Sequence, residues 1–262
     1  MKRDVDSQAD ALVSKIKHYL ITMMGRSADE AHSDEFYRAL CFSLREEIMI
    51  NWSAAAKTHR EKDVRMVYYL SMEYLPGRIL SNNITNLHQS ELVRLVMHKM
   101  NRSLSEIMNC ESDPGLGNGG LGRLASCFLD SLATLDYPAQ AYGLRYQYGT
   151  FEQQLWDGIQ VEAPDRWLSH ENPWEFRRDL RHVMVKYGGT TNVGTNIHGD
   201  EILMLENFET VSAFPFDYPI IGYGVDKKHV KFSVVTLRLW STKESPSNFQ
   251  LQRYNAGRQI FH

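Results

Sequence analysis

The chain has 262 residues, 43% of them hydrophobic and 23% charged, which is enough apolar side chain for one large domain or two small ones. A formal net charge of −3 gives no basic surface of the kind a nucleic-acid binder carries, and no run of 18 apolar residues is present to span a membrane. Three cysteines without CxxC spacing, and an opening segment without an apolar signal core, point to reduced thiols and a cytoplasmic setting.

Two helices open the chain. Leu12, Ile16, Tyr19, Leu20 and Met23 recur at helical spacing, and Gly25 marks the stop. Ser33 is the expected N-cap of the second helix, with Asp34 and Glu35 in a first turn whose dipole favours negative charge. Phe36, Leu40, Leu44, Ile48 and Trp52 then follow every four residues as a core face. Residues 67–72, short and rich in aromatic side chains, read as a buried strand. Leu92, Leu95, Val96 and Met100 predict another helix, and a further one runs from about residue 121 to 135 with Leu124, Phe128 and Leu135 on one side. Cys41 and Cys127 lie among apolar residues and read as small core side chains.

Residues 139–148 alternate as a strand, and Asn172-Pro173-Trp174 reads as a turn entering a helix, with Asn172 as N-cap. From about residue 181 the texture changes. Residues 182–186, 201–205 and 232–239 read as strands, separated by turns at Gly188-Gly189, Gly199-Asp200 and Gly222. The cluster Lys227-Lys228-His229-Val230-Lys231 reads as a solvated turn. Helices thus dominate the first half and strands the second, within one α/β unit.

Residues 113–122, DPGLGNGGLG, contain five glycines and run straight into a helical sequence. Such a junction brings backbone N–H groups close to a ligand and adds the positive end of a helix dipole, so it predicts a phosphate site. A tight turn before a helix is the plainer reading of the same residues. Gly115 to Gly120 also satisfy GxGxxG, and Asp136 lies about 20 residues on, as in a dinucleotide fingerprint. That fingerprint needs a buried strand leading into the loop, whereas Asn109-Cys110-Glu111-Ser112-Asp113-Pro114 is polar.

Glu73, Arg78, Arg123 and Asp130 are either ligand-orienting charges or structural ion pairs. Arg123 opposes the dipole at a helix start, which points to an anion or carboxylate partner. Trp156, Trp167 and Trp174, with Tyr146 and Tyr148, offer faces for sugar stacking, although core packing is the commoner use of Trp167 and Trp174. Glu162 and Asp165 stand at helical spacing as a carboxylate pair. Ten histidines show neither HxxxH nor HExxH spacing, so no metal site is expected.

Four blocks carry a resemblance to a known family: VYYLSMEYLPGR (67–78), DPGLGNGGLGRLASCFLDSLATLDYPAQAYGLRYQYGTFEQ (113–153), APDRWLSHENPWEFRR (163–178) and FSVVTLRLWSTKE (232–244). In this order they strongly resemble the glycogen (α-glucan) phosphorylases, over about residues 10–257. The resemblance implies an α/β fold, an incomplete N-terminal Rossmann-like domain of a two-domain GT-B type glycosyltransferase. On that reading residues 1–262 are one partial domain: a helical segment over about 8–60, a glycine-loop core over about 64–180, a strand-rich part over about 181–257 and an unrelated tail at 258–262.

The implied reaction is phosphorolysis of a terminal α-1,4 glucosyl bond by inorganic phosphate, giving glucose 1-phosphate with retention. By resemblance, Gly119 and Gly120 supply backbone N–H groups near the substrate and cofactor phosphates, and Leu121 lines the glucose pocket. Neutral N–H donors can hold an oxyanion without a desolvated lysine or arginine. The implied cofactor is pyridoxal 5'-phosphate, working through its phosphate. Its covalent lysine belongs to a motif of the kind EASGTxNMK, which this chain lacks, so no catalytic set is complete here and the chain alone is expected to be inactive.

The implied partners are an α-1,4-glucan (glycogen, starch or maltodextrin) and inorganic phosphate, with a homodimer for the full-length protein and neither nucleic acid nor membrane. Animal members carry a basic phosphorylatable serine segment at the N-terminus and a tyrosine just before the EKD that matches Glu61-Lys62-Asp63. This chain lacks the first and has Arg60 in place of the second, which predicts an AMP-independent, bacterial-type parent. The alternatives are a glucan-binding module, one half of a split phosphorylase, and an NAD-linked enzyme using GxGxxG.

Overall fold

The computed structural model describes residues 2–224 and 233–243. The lysine-rich turn at 227–231, Phe232 at the start of the expected last strand, and the expected tail at 258–262 lie outside the described residues. The chain divides into two compact units, one comprising residues 1–176 and 217–239, the other residues 177–216 and 240–262.

The first unit opens with α1 (Lys2–Met24), which ends where Gly25 turns at φ 65°, a conformation that favours glycine. Leu12, Ile16 and Leu20 are buried while Met23 stays exposed, so the core face is narrower than the spacing suggests. α2 (Ser33–Glu61) buries all five residues of its predicted stripe. Its N-cap is His32 and not Ser33, because the Glu35 carboxylate reaches back to accept the His32 N–H at 2.9 Å and starts the helix one residue earlier. α1 packs on α2 and on α4 (Ser90–Lys99). α3 (Ile79–Asn86), α5 (Leu104–Asn109) and α6 (Gly120–Thr134) complete the helices of this unit.

β1 (Val67–Leu70) and β2 (Ala139–Leu144) run parallel, in register from Val67↔Ala139 to Leu70↔Tyr142. β10 (Val234–Lys243) lies beyond β2, and β9 (Glu209–Ile221) beyond β10. Ala139 and Ala141 of β2, Tyr218 and Ile221 of β9, and Val235, Leu237 and Leu239 of β10 share one buried cluster with Leu80, Ile84, Leu129 and Ala133 of the helices. β1 is not the buried strand that its composition suggests. Tyr69 packs against Tyr74 and Phe128 on one face of the strand, while Tyr68 (59% exposed) and Leu70 (76%) point to the opposite, uncovered face.

Two further departures concern local structure. Residues 152–163 form a hairpin of β3 (Glu152–Trp156) and β4 (Ile159–Ala163), turning at Asp157 and Gly158 with φ 49° and 74°. An Asp-Gly pair with both residues at positive φ is the preferred tight hairpin turn. Glu162 therefore sits on a strand, and its helical spacing from Asp165 has no structural counterpart. Asn172 caps no helix. Its Oδ1 accepts the Trp174 N–H at 2.9 Å in a local side-chain turn that leads instead to β5 (Phe176–Arg177).

In the second unit β6 (Val183–Tyr187) pairs antiparallel with the first residues of β9. β7 (Thr190–Thr195) and β8 (Glu201–Glu206) form a hairpin turning at Gly199, φ 87°. The architecture is mixed α/β with a parallel pair in its sheet, helices leading and strands following.

Candidate functional site

The glycine loop links α5 to α6, so a helix and not a strand leads toward it, and the context that a dinucleotide fingerprint requires is missing. The segment between β1 and α3 cradles the loop. Tyr74 N–H donates to the Leu116 carbonyl at 2.9 Å, and Leu75 N–H donates to the Gly122 carbonyl at 3.0 Å. The Glu73 carboxylate accepts from the Asn118 backbone N–H (3.3 Å) and from its Nδ2 (3.1 Å), while the Thr150 hydroxyl donates to Asn118 Oδ1. Leu116 is buried beneath.

The glycines of the loop are of two kinds. A Cβ on Gly115 would lie 2.6 Å from Trp167 Cδ1 and 2.7 Å from Gly149 Cα; on Gly117, 3.1 Å from Leu75 Cγ; on Gly122, 3.1 Å from Glu73 Cβ. These three are glycine because the loop is packed. Gly119 and Gly120 are different, since a Cβ on either would meet nothing within 4 Å. Gly119 is the N-cap of α6 and Gly120 its first residue. The helix ladder begins with Arg123 N–H to the Gly119 carbonyl at 3.0 Å, so the N–H groups of Gly120, Leu121 and Gly122 have no acceptor within the helix. Leu121 beside them is 77% exposed. Gly119, Gly120 and Leu121 thus meet at one open helix head that presents backbone donors and the positive end of the dipole, a surface suited to an anion.

The charged residues around the loop have structural partners. Arg123 Nη1 donates to the carbonyls of Leu75 (3.1 Å) and Pro76 (3.2 Å), and its charge also acts on the Asp130 carboxylate, a carboxylate neighbour of the expected kind. Arg78 pairs with Asp113 at 3.5 Å and donates to Asn109 Oδ1 at 3.1 Å. Burial pushes the Asp130 carboxyl above its ordinary value, and Arg123 pulls it back in part.

Glu111 carries more of the local structure than its place in a polar lead-in suggests. It accepts from Ile79 N–H (3.0 Å) and Leu80 N–H (3.0 Å), capping α3, and from Trp174 Nε1 (3.1 Å). Burial raises its carboxyl, against the lowering effect of those donors. No spacing rule marks Glu111 in the sequence, since its partners are two backbone groups, an indole 63 residues away and the Tyr37 side chain of α2. Trp167 and Trp174 are core, whereas Trp156 is 72% exposed on its hairpin. Cys127, expected in the core, is exposed. α6 buries Ala125, Ser126, Leu129 and Ala133, which turns Cys127 outward with Leu124 and Phe128.

Among the described residues no helix is long and apolar enough to cross a membrane, and no group of three His, Cys, Asp or Glu could hold a metal ion. Residues 97–261 match the carbohydrate phosphorylase family. The chain is 41% identical to a glycogen phosphorylase of Synechocystis sp. over 91% of its own length and 27% of that protein's. It is 39% identical to a glycogen phosphorylase of Chlamydia pneumoniae over 99% of its length and 30% of that protein's. It is 37% identical to alpha-glucan phosphorylase 1 of Arabidopsis thaliana over 95% of its length and 25% of that protein's. The chain therefore spans between a quarter and a third of the length of these curated relatives. With its glycine loop, its open helix head and a family match over most of its length, the chain belongs to the carbohydrate phosphorylases.

Proposed function

We propose that the chain is the N-terminal portion of an α-1,4-glucan phosphorylase, and that its residues up to about 257 belong to the incomplete Rossmann-like first domain of a two-domain GT-B type enzyme. The reaction is attack of inorganic phosphate at C1 of a terminal glucosyl unit. The C1–O4 bond to the next sugar breaks, a C1–O–P bond forms, and the departing O4 takes up a proton, leaving a glucan one unit shorter and glucose 1-phosphate.

The observation that carries this reading is the open pair Gly119–Gly120 at the head of α6, in a loop whose other glycines are closed by packing. Their backbone N–H groups hold phosphate oxygens, and the missing side chains keep the approach clear. Leu121, exposed beside them, forms the apolar wall for a glucose ring. Glu73 and Thr150 keep the crest of the loop in place through Asn118.

The open donors also fit the phosphate of pyridoxal 5'-phosphate, which in the complete enzyme supplies its phosphate group to the reaction. The EASGTxNMK-type motif whose lysine would carry it covalently is not among these 262 residues. The glucan is glycogen, starch or maltodextrin, and the full-length protein is a cytoplasmic homodimer.

The test is phosphate-dependent release of glucose 1-phosphate from each glucan by a full-length protein containing this chain. Release that falls when Gly119→Ala and Gly120→Ala are introduced supports the assignment. Absence of product from all three glucans overturns it.

A further inference from the structure

We propose that the cavity between α3 and α6 is a hydration site that holds one ordered water, which accepts a hydrogen bond from Asn83 Nδ2 and donates one to the Asp130 carboxylate. Asn83 is only 2% exposed, and its Nδ2 is one of two buried side-chain nitrogen or oxygen atoms among the described residues without a hydrogen-bond partner. Buried amide donors are paired as a rule, so this one calls for an acceptor. Asn83 lines a cavity of about 20 Å³, together with Asn82, Ser126 and Asp130 and with apolar side chains that include Leu129 and Leu237.

The chemistry of the lining selects the occupant. An orphan N–H repels a metal cation or an ammonium group, while the Asp130 carboxylate disfavours an anion. An apolar filler leaves the Asn83 amide unmet. Arg123, whose charge is felt at Asp130, spends its Nη1 on the Leu75 and Pro76 carbonyls. What remains is a small neutral molecule that both accepts and donates. A cavity of about 20 Å³ exceeds the roughly 10–15 Å³ that one water needs and is too small for a sugar. Such a water ties α3 to α6 through polar groups, and the inference does not depend on what binds at the head of α6.

The test is a crystal structure of the full chain at a resolution that shows ordered solvent, paired with water-to-amide NMR transfer to the Asn83 side chain. One water within hydrogen-bonding distance of both Asn83 Nδ2 and Asp130, with a long-lived cross-peak to the Asn83 amide, is the expected result. An empty cavity, or an Asn83 amide bonded directly to a protein acceptor, overturns the proposal. Asn83→Leu removes the donor, and Ser126→Ala leaves both proposed partners in place. The water is expected to disappear in the first variant and to persist in the second; its persistence in Asn83→Leu also overturns the assignment.

Discussion

Glu73 holds Asn118 by two bonds, one to the backbone N–H at 3.3 Å and one to Nδ2 at 3.1 Å. Asn118 immediately precedes Gly119, so a residue between β1 and α3 sets where the open helix head begins. Glu73→Ala frees both donors, and for a partly exposed pair the expected loss is about 1 kcal/mol of stability. A similar loss of organisation at the loop corresponds to roughly 5-fold weaker phosphate binding by a full-length protein. Denaturant midpoints and phosphate titration read the two effects. If neither changes, Glu73 does not brace the loop.

The two kinds of glycine predict opposite outcomes for the same substitution. Gly115→Ala drives a methyl group into Trp167 and the Gly149 backbone, and overpacking of this sort costs about 1–3 kcal/mol. Gly120→Ala meets nothing within 4 Å. Alanine is also the better helix former, by up to about 1 kcal/mol in a helix interior, so the fold is expected to hold or gain slightly. Phosphate affinity is expected to fall with Gly120→Ala, because the methyl group stands over the donors. The reverse pattern, with Gly115→Ala silent and Gly120→Ala unfolding the protein, would contradict the division drawn from the structure.

The helices were legible because their signal is local. The stripe from Phe36 to Trp52 needs only a repeat of about 3.6 residues, and all five side chains are buried. The glycine run and the helix after it were legible for the same reason. Exposure was not. Val67–Leu70 has the composition of a buried strand, but burial depends on what covers each face, and only the face of Tyr69 is packed, by Tyr74 and Phe128. Cys127 and Phe128 likewise face outward because of where α6 docks, which their apolar neighbours in sequence do not encode. The Asp157-Gly158 turn, by contrast, has a local signal, an Asp-Gly pair of the kind that favours a tight hairpin.

At the start of α6 the position of Arg123 suggests an anion or carboxylate partner; its charge acts on Asp130, and its guanidinium binds the Leu75 and Pro76 carbonyls, which carry no residue-type signature. Arg123→Ala is therefore expected to lower stability by about 1 kcal/mol, the usual size for a lost hydrogen-bonded contact. Phosphate and glucan affinity of the full-length protein should stay within about 2-fold of the parent, well under the tenfold that 1.4 kcal/mol represents. A tenfold loss of phosphate affinity at unchanged stability would move Arg123 into the binding site.

Glu111 predicts a pH dependence with a definite sign. Burial raises its carboxyl above the ordinary value, so between that value, about 4.3, and its own raised one the native state binds more protons than the unfolded state. The contribution of Glu111 to stability is then greatest below the ordinary value and declines as pH rises through the window. Glu111→Gln removes the titration and also turns one of the two acceptor atoms into a donor. With the amide oxygen at Oε1, the new donor opposes the Leu80 N–H, which keeps only its 3.2 Å bond to Oε1, a weakening of about 1 kcal/mol. The variant is expected to be less stable throughout, and its deficit relative to the parent should shrink as pH rises from about 4.3 toward neutrality. Denaturant unfolding of both proteins across that range provides the check. A deficit that grows with pH would mean that the donors to Glu111 outweigh burial and that its carboxyl lies below the ordinary value.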